Sequence, residues 1–507
     1  MSEHDHHSSR PRPTWHSGKV KMFKRKHVGP PPSVDPQNEQ EKGHAQPVAG
    51  PQYDSDGHLI NHNGHKVTKG IQPAGESGRS WMHPWHMLRI CFRSSCTASK
   101  WTNILWPFTI AAMVMHFNFN ENHLWVFICA YIGMVPAANL VGFAGQELAR
   151  KMPLVIGVIL ETTLGSVVEV ILFMVLVKDW KFAVIRAAIL GSILANVLFC
   201  LGLCFFTGGI FHPQQTFHEA ISEVGSNLML VAAVGLVIPT IFYNSLAGSP
   251  IGTQAILERT TSISHATAIV LLIAFVVYVW FQARSHHGLY EDILEADEER
   301  DHDRHRDLIK DKLTLTEAIL AVIIALTFVG FMAVFLVQEI DFIKDRGVSD
   351  AFLGLILVPI VEKAAEHLTA IDEAYDNQMN FALSHVLGAS IQTALLNTPL
   401  VVLVSWGINT PDVSISGHEG PLALNFELFD AVMLILAIIV VGNFLRDEKS
   451  DYLEGALCVF VYILIAVSAW YYPNPSSSEG TSSAETGSSS EAVVSATEHA
   501  ARMLLGL

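Results

Sequence analysis

Apolar runs separated by short polar breaks fill the chain from about residue 101 to residue 472. Most of them reach about 20 residues, the length that an α-helix needs to cross the hydrocarbon core of a bilayer. They are apolar on all sides, whereas the helices around a soluble core would be amphipathic. The pattern therefore predicts an all-α integral membrane protein with about 11 transmembrane helices. The runs lie at 101–117, 123–144, 153–177, 183–206, 224–244, 263–282, 314–337, 352–371, 380–406, 424–444 and 452–471.

Three polar segments flank or interrupt these runs. Residues 1–100 are rich in His, Pro, Gly and Ser and lack a long apolar period, so we predict a disordered arm. The Ser- and Glu-rich tail at 473–507 is expected to be disordered as well. Residues 285–313 crowd Asp and Glu between the sixth and seventh runs. This acidic linker is either a solvated helix that joins two halves or a cation-sensing strip on the cytosolic side.

Composition narrows the class of protein further. Of 507 residues, 50% are hydrophobic and 16% are charged, against about 25% charged in soluble proteins. A formal net charge of −16 excludes a nucleic-acid binder that works through a bulk positive field. No phosphate-binding Gly-Lys-Ser loop occurs, so we expect an ion gradient rather than ATP as the driving force, and no cofactor. The expected partners are the lipid bilayer, a transported cation and protons.

A polar motif occurs once in each half of the apolar region. In the first half, 165–169 (GSVVE) precedes 190–196 (LGSILAN), and in the second half, 362–366 (EKAAE) precedes 387–393 (LGASIQT). The distance from the Glu to the first Gly of the following stretch is 22 residues in both halves. The matched spacing indicates an internal duplication.

Each duplicated unit contains five runs once the first span and its loop, at 101–122, are set aside. An odd number of spans makes two such units run in opposite directions across the membrane, which is an inverted repeat. We therefore predict five-helix repeats at 123–284 and 314–472, joined by the acidic linker. The basic arm, with Lys100 beside the first span, places the N-terminus in the cytosol.

Glu169 and Glu366 lie inside apolar segments at matched repeat positions. A carboxylate in the membrane is costly and is functional by default. Two facing carboxylates suit a hard cation, which prefers oxygen ligands, and they also favour protonation of one another. One site could then hold a cation and protons in turn, as antiport requires.

These motifs and the runs around them resemble the vacuolar cation/proton exchangers of the calcium/cation antiporter superfamily, in their fungal form. The resemblance covers about residues 105–473. Besides the motifs it includes 204–209 (CFFTGG), 238–240 (IPT), 352–361 (FLGLILVPIV), 451–455 (DYLEG) and 470–473 (WYYP).

The resemblance implies exchange of cytosolic Ca²⁺ for vacuolar protons across the vacuolar membrane, for calcium homeostasis. It implies that Glu169 and Glu366 are the central metal ligands. Polar residues of the facing helices line the site in the family, and at those positions this sequence has Ser192, Asn196, Ser390 and Gln392.

Both motifs depart from the Gly-Asn-Ala-x-Glu that is usual in the family. In the first motif Ser166 replaces the Asn and still offers a hydroxyl. In the second motif Glu362 and Lys363 stand where Gly-Asn is expected. Lys363 lies three residues before Glu366, hence on the same helical face. An ammonium there could pair with Glu366 and displace a cation.

Other ionisable residues near the two motifs also bear on the site. Glu161 replaces a residue that is usually Asn in the family, His367 follows Glu366, and His385 and Arg186 add ionisable groups to the repeat helices. We regard Lys363, Glu362, Glu161 and His367 as possible modulators of the site.

The balance of charge leaves the transported ion open. If Lys363 faces the site, the net charge falls to that of one carboxylate, which suits a monovalent cation or prevents transport. If Glu362 and Glu161 also face it, the balance for a divalent ion returns. Lys363 and Glu362 could instead form a salt bridge away from the cation path. The alternatives to Ca²⁺/H⁺ exchange are therefore Na⁺ or K⁺ exchange for protons and a non-transporting membrane sensor.

Overall fold

The apolar runs fold into helices in a computed structural model that describes residues 52–53, 58–61, 63–119, 121–301, 304–408 and 422–473. The helices before the linker are α1 (Pro84–Arg93), α2 (Thr97–Thr102), α3 (Trp106–Asn118), α4 (His123–Ala149), α5 (Leu154–Lys178), α6 (Phe182–Phe211), α7 (Glu219–Leu246) and α8 (Thr253–Ser285). Short 3₁₀ turns occupy Pro73–Gly75 and Asn103–Leu105.

The linker and the second half contain the remaining helices. They are α9 (His287–Glu298), α10 (Arg304–Ile309), α11 (Leu315–Gln338), α12 (Ile340–Lys344), α13 (350–362), α14 (Ala364–Tyr375), α15 (Met379–Gly407), α16 (Leu428–Asp447) and α17 (Tyr452–Trp470). Two antiparallel strand pairs complete the described part of the chain: β1 (Gln52–Tyr53) with β2 (Leu59–Ile60), and β3 (Gln215–Thr216) with β4 (Lys449–Ser450).

Within the described residues, nine helices are long and apolar enough to span a membrane. The all-α membrane architecture is thus confirmed, but the count of eleven spans is not. The first predicted span forms α3, which is 13 residues long. The eighth becomes two helices, α13 and α14, which meet at Lys363. The bend is local: Lys363 has φ −92° and ψ 0°, and its backbone nitrogen still donates to the Pro359 carbonyl oxygen at 3.0 Å.

Close helix crossings depend on glycines of both halves. A Cβ on Gly191 of α6 would lie 2.6 Å from the Leu355 Cα of α13, and a Cβ on Gly354 would lie 2.6 Å from the Val184 carbonyl oxygen. Such distances leave no space for a side chain, so the backbones of α6 and α13 pack directly against each other. This crossing holds the helices of the two motifs together.

Three helices contain a π-helical turn, at Ala195–Cys200 in α6, Leu353–Leu357 in α13 and Thr393–Asn397 in α15. A π turn adds one residue to a helical turn and often occurs at functional sites. Two of the three turns overlap the ends of the polar stretches 190–196 and 387–393. They shift the polar side chains that follow them around the helix axis.

The N-terminal arm differs from its prediction. Residues 58–61 and 63–100 are not disordered but form β2, the turn Pro73–Gly75, α1 and most of α2, while residues 1–51 lie outside the described part. Lys151, between α4 and α5, anchors this segment because its Nζ donates to the carbonyl oxygens of Gly75 and Leu313, each at 2.6 Å. Burial lowers the pKa of the Lys151 ammonium, and Glu147 and Glu76 act in the opposite direction.

The acidic linker docks onto the membrane helices through Asp297 of α9. Its carboxylate accepts hydrogen bonds from the backbone nitrogens of Asn380 and Phe381, at 2.7 and 3.2 Å, and from Asn380 Nδ2 at 3.0 Å. Burial raises the pKa of Asp297, although these hydrogen bonds lower it in part. A carboxylate at the first turn of α15 satisfies backbone donors that the helix leaves open. The C-terminal tail, from residue 474, lies outside the described residues.

Candidate functional site

Glu169 is the most enclosed of the acidic side chains that the sequence singles out. It lies on α5 with no exposed surface. Its Oε2 accepts hydrogen bonds from Thr393 Oγ1 and Asn397 Nδ2, both at 2.7 Å. Both donors come from the π turn of α15. This turn therefore orients the Glu169 carboxylate from across the repeat interface.

Lys363 joins the two repeat glutamates. Its Nζ lies 3.0 Å from Glu169 Oε2 and 3.2 Å from Glu366 Oε2. The predicted contact between Lys363 and Glu366 is therefore present, and the interpretation of Lys363 as paired with Glu362 away from the glutamates is wrong. The reason is the bend at Lys363, which starts α14 and turns its side chain toward α5. The Lys363 side chain is 1% exposed and that of Glu366 is 18% exposed, although both carboxylate oxygens of Glu366 are buried.

Glu362 completes the group of charges. It is buried and interacts electrostatically with Glu169, Lys363 and Glu366. We call these four side chains the central cluster. When all are ionised, three carboxylates and one ammonium leave a formal charge of minus two. That is the charge that two carboxylates alone would carry, so Glu362 restores what Lys363 removes.

An amide and two hydroxyls extend the site along α5. Ser166 Oγ donates to Gln392 Oε1, and Gln392 Nε2 donates to Thr162 Oγ1, each at 2.7 Å. The structure thus brings Ser166 and Gln392 together, one turn from Glu169. Because Gln392 uses its amide on Thr162 and Ser166, its contact with the central cluster is indirect.

The other residues proposed to line the site make different contacts. His367 Nε2 and Asn196 Oδ1 form a hydrogen bond of 3.0 Å. Ser390 Oγ donates to the Val386 carbonyl oxygen of its own helix at 2.8 Å. Ser192 is buried on α6. Among the described residues, none of these side chains is hydrogen-bonded to Glu169 or Glu366, but Ser192 interacts with the Glu362 carboxylate of the central cluster.

Three residues near the site were missed in the sequence, namely Thr162, Thr393 and Asn397. Thr393 and Asn397 are polar residues inside the apolar run 380–406. Their polarity within that run is the feature by which the sequence could have identified them as site residues. Their partner on α5 could not be identified, since it depends on the π turn of α15. The Thr162 hydroxyl also donates to the Val158 carbonyl oxygen of its own helix at 3.0 Å. Many threonines in membrane helices do the same, so nothing in the sequence distinguishes Thr162 from them.

Gly165 makes room for the second glutamate. A Cβ at this position would overlap the Glu366 carboxylate. The glycine of the first motif therefore accommodates the glutamate of the second, which couples the two motifs sterically.

Glu161 lies apart from the central cluster. Its Oε2 is 3.7 Å from His385 Nε2, and the other ring nitrogen of His385 lies 2.7 Å from Glu373 Oε2. The expectation that Glu161 would adjust the charge beside Glu169 and Glu366 therefore gives way to a second group of ionisable side chains.

The sequence of this chain is similar to that of known proteins. The family model described as sodium/calcium exchanger protein matches residues 122–284 and 317–471. The chain belongs to this family. The two matched segments lie on either side of the acidic linker, and the family consists of transporters of ions.

This exchanger has relatives in plants and fungi. It is 31% identical over 379 residues to vacuolar cation/proton exchanger 2 of Oryza sativa subsp. japonica, a match that covers 74% of the chain and 83% of the relative. It is 29% identical over 380 residues to the vacuolar calcium ion transporter of Schizosaccharomyces pombe, covering 75% and 87%. The family resemblance inferred from the motifs is thus confirmed.

A solved structure has a similar fold. The structure of native YfkE superimposes with a TM-score of 0.57 and 23% sequence identity, covering 73% of this exchanger and all of that chain. At this identity the likeness concerns the fold alone.

Proposed function

We propose that the protein is a secondary antiporter that exchanges cytosolic Ca²⁺ for vacuolar protons by alternating access. The observation that carries the proposal is the central cluster, in which three carboxylates and one ammonium are buried together. A formal charge of minus two balances one divalent cation or two protons. Carboxylate oxygens are the ligands that Ca²⁺ prefers.

Exchange follows from the cost of burying charge. Carboxylates placed together away from water favour protonation when no cation neutralises them. Cation and protons therefore compete for the same oxygens, and each drives the other out. Glu169, held by Thr393 and Asn397, serves as the fixed ligand in this scheme. Glu366, whose described contact is the ion pair with Lys363, serves as the mobile one.

The names of the relatives support Ca²⁺ as the transported ion and the vacuolar membrane as the location. The rice relative is named for vacuolar cation/proton exchange and the fission yeast relative for vacuolar calcium transport. We extend both to this chain and place it in the vacuolar membrane. The basic N-terminal arm supports a cytosolic N-terminus, and the repeats are proposed at 123–284 and 314–472.

A second candidate is exchange of Na⁺ or K⁺ for protons. The observation that favours it is the position of Lys363 Nζ, at 3.0 and 3.2 Å from the two repeat glutamates. If Glu362 stays protonated, the cluster carries one negative charge, which one monovalent ion balances.

Proton flux from acid-loaded proteoliposomes distinguishes the candidates when it is driven in turn by Ca²⁺, Mn²⁺, Na⁺ and K⁺. We expect flux with Ca²⁺ and its loss in Glu169→Gln and Glu366→Gln. The matched control is Glu339→Gln, which removes a buried carboxylate bound to His123 and should preserve flux. Flux with Na⁺ or K⁺ but not with Ca²⁺ selects the second candidate, and absence of flux with every cation refutes both.

Lys363→Asn completes the experiment. Asn is the family's usual residue and removes the ammonium, so we expect Ca²⁺-driven flux with a lower concentration at half-maximal rate. An unchanged cation preference and concentration dependence would show that Lys363 is structural.

A further inference from the structure

A second group of ionisable side chains, one buried and two half-buried, lies away from the central cluster. Its members are Glu161 of α5, Glu373 of α14 and His385 of α15. His385 Nδ1 lies 2.7 Å from Glu373 Oε2, and His385 Nε2 lies 3.7 Å from Glu161 Oε2. We call these three side chains the linker-side cluster, because α15 begins at the cap that Asp297 of the linker provides.

The positions of these residues place the cluster along the same two helices as the central cluster. Glu161 precedes Glu169 by eight residues on α5, which is about 12 Å of helix. Glu373 follows Glu366 by seven residues on α14, which is about 10 Å. The two clusters are therefore about two helical turns apart, on the same pair of helices.

The imidazole of His385 has one occupied and one open nitrogen. Nδ1 is held by Glu373, whereas Nε2 is buried and makes no hydrogen bond within the described part of the chain. The histidine is 7% exposed, so bulk water does not satisfy this nitrogen. At 3.7 Å from Glu161 Oε2, the open nitrogen is within reach of the carboxylate through one water molecule or a small side-chain movement, and a proton can then pass from one group to the other.

A bound proton lowers the negative charge that the cluster has to accommodate. Two ionised carboxylates beside a neutral imidazole would bury two negative charges, which is costly in the membrane. One proton on the imidazole leaves a net charge of minus one. Transfer of that proton from His385 Nε2 to Glu161 Oε2 keeps this charge, because it leaves a neutral imidazole and a neutral carboxyl group.

Other charged groups face the cluster from neighbouring elements. Glu366 of the central cluster interacts electrostatically with His385, and Asp297 of α9 interacts with Glu373. The Cys200 thiol of α6 is also within electrostatic range of Glu373. Asp297 is committed to the cap of α15, so Glu366 is the charge through which the central cluster affects the histidine.

A small cavity lies where α5 and α15 meet α8 and α9. It has a volume of about 30 Å³, enough for a water molecule, and its lining includes Thr162, Ser384 and Gln392. Thr162 is adjacent to Glu161 in the chain, Ser384 is adjacent to His385, and Gln392 is bonded to Ser166 of the site. The cavity thus gives space for a water molecule on the flank of α5 and α15, next in sequence to two members of the linker-side cluster, although no described member of either cluster lines it.

We propose that Glu161, His385 and Glu373 form a second proton-binding site that delivers protons to the central cluster and receives them from it. The proposal rests on the proposed antiport and adds a second site at which a proton is bound between transfers. Both Glu161 and His385 are departures from the family pattern, and they face each other. Such a site keeps protons on a path separate from that of the cation.

The test is the pH dependence of cation-driven proton flux in proteoliposomes, measured from pH 5.5 to pH 8.5 or thereabouts, with ⁴⁵Ca²⁺ binding to the purified full chain as a second readout. We expect His385→Gln to lower the maximal flux by about 10-fold or more and to shift the pH of half-maximal flux. Ca²⁺ binding should stay within about 2-fold of wild type, because the central cluster is intact. Glu161→Gln and Glu373→Gln should shift the profile as well.

Two further variants make the test decisive. His265→Gln is the matched control, since His265 lies on α8 and stacks on Trp406, away from both clusters, and it should leave the profile unchanged. The double variant Glu161→Gln/His385→Gln should be no worse than His385→Gln alone, because the two residues act as one unit.

The outcomes separate this proposal from the proposed function. A wild-type protein without cation-driven flux refutes antiport itself. Normal wild-type flux with an unchanged pH profile in all three single variants overturns the second proton site and leaves antiport standing. Loss of ⁴⁵Ca²⁺ binding in His385→Gln also overturns it, because the histidine would then belong to the cation site.

Discussion

At the scale of single residues, Lys363 has the largest effect on the electrostatics of the site. Its ammonium lies between two carboxylates that a cation would otherwise bridge, and Glu362 supplies a third carboxylate. A bound cation must therefore compete with an ammonium that is part of the chain. Gly165 has a steric effect of similar importance, since its missing side chain is the space in which the Glu366 carboxylate lies.

We predict that Gly165→Ala impairs exchange. The new methyl group would overlap the Glu366 carboxylate, so this side chain must move away from Lys363. We expect the flux in proteoliposomes to fall about 10-fold or more, in keeping with the effect of small displacements in a site. Gly442→Ala is the control, since its Cβ would lie 3.8 Å from the Ser226 Cβ, and it should transport normally. Equal flux in both variants would contradict the steric role of Gly165.

We predict that Thr393→Val changes cation affinity as well as stability. It removes one of two donors to Glu169 Oε2, and an unmade buried hydrogen bond costs about 1–3 kcal/mol. Thr398→Val is the control, because the Thr398 hydroxyl donates to the Thr393 carbonyl oxygen at 2.7 Å rather than to a carboxylate. Both variants should lower Tm, but only Thr393→Val should shift the ⁴⁵Ca²⁺ binding curve. A shift of equal size in both would mean that the effect is structural.

At the scale of elements, α15 connects most parts of the site. Its first turn is capped by Asp297 of the linker, its middle bears His385 and Gln392, and its π turn holds Glu169. The linker helix α9 also packs against α5. The acidic linker is thus a structural partner of the helix that carries the site.

We predict that Asp297→Ala destabilises the start of α15. It removes acceptors for the backbone nitrogens of Asn380 and Phe381, and loss of a helix cap costs about 0.5–2 kcal/mol. Asp451→Ala is the control, since Asp451 caps α17 through the backbone nitrogens of Leu453 and Glu454. Both variants should have a lower Tm. Only Asp297→Ala should make the linker more sensitive to limited proteolysis, and an unchanged cleavage rate would argue against docking by this cap.

At the scale of the whole molecule, the N-terminal segment, the linker and the loop between α4 and α5 meet around Lys151. Glu147 Oε2 accepts from the Leu313 backbone nitrogen at 2.7 Å, and Glu317 Oε1 accepts from the His83 backbone nitrogen at 2.8 Å. These contacts connect the start of the chain to the beginning of the second half. These hydrogen bonds act together with a small apolar cluster, in which Ile90 of α1 packs with Phe143 and Val322.

We predict that the N-terminal segment loosens in acid. Burial alone would raise the pKa of Glu76, but hydrogen bonds from the Thr68 and Gly78 backbone nitrogens outweigh it, so the pKa lies below its ordinary range. A carboxylate with a lowered pKa contributes stability above its ordinary pKa and loses it as the pH falls through the lowered value.

Hydrogen–deuterium exchange tests whether the N-terminal segment loses stability as the pH falls. Corrected for intrinsic rates, the Thr68 and Gly78 amides should exchange faster as the pH falls below 4 or thereabouts, and Glu76→Gln should exchange fast at every pH. Glu258→Gln, which alters an exposed carboxylate of α8, should behave like wild type. Slow exchange of these amides in Glu76→Gln would contradict the prediction.

Much of the fold could be predicted because membrane helices are local. Their length and apolar surface depend on the bilayer and not on their neighbours, so the runs located the helices and the duplicated motif identified the two glutamates. The short α3 and the divided span at Lys363 were not foreseen, since packing against other helices decides where a helix ends. The N-terminal segment was missed because its anchors, such as Lys151, are far away in the sequence.

By itself, then, the sequence determined the class of protein and the family, and it located the acidic residues that we propose as the exchange site. The tertiary structure decided which charges meet. It placed Lys363 between Glu169 and Glu366 and buried Glu362 beside them. It also placed Glu161 beside His385, away from these residues. Those pairings depend on the rotation of each helix about its axis, which the bend at Lys363, the π turns and the glycine crossings fix through contacts between distant residues. The sequence determined that charges are buried, and the packing determined the partner of each.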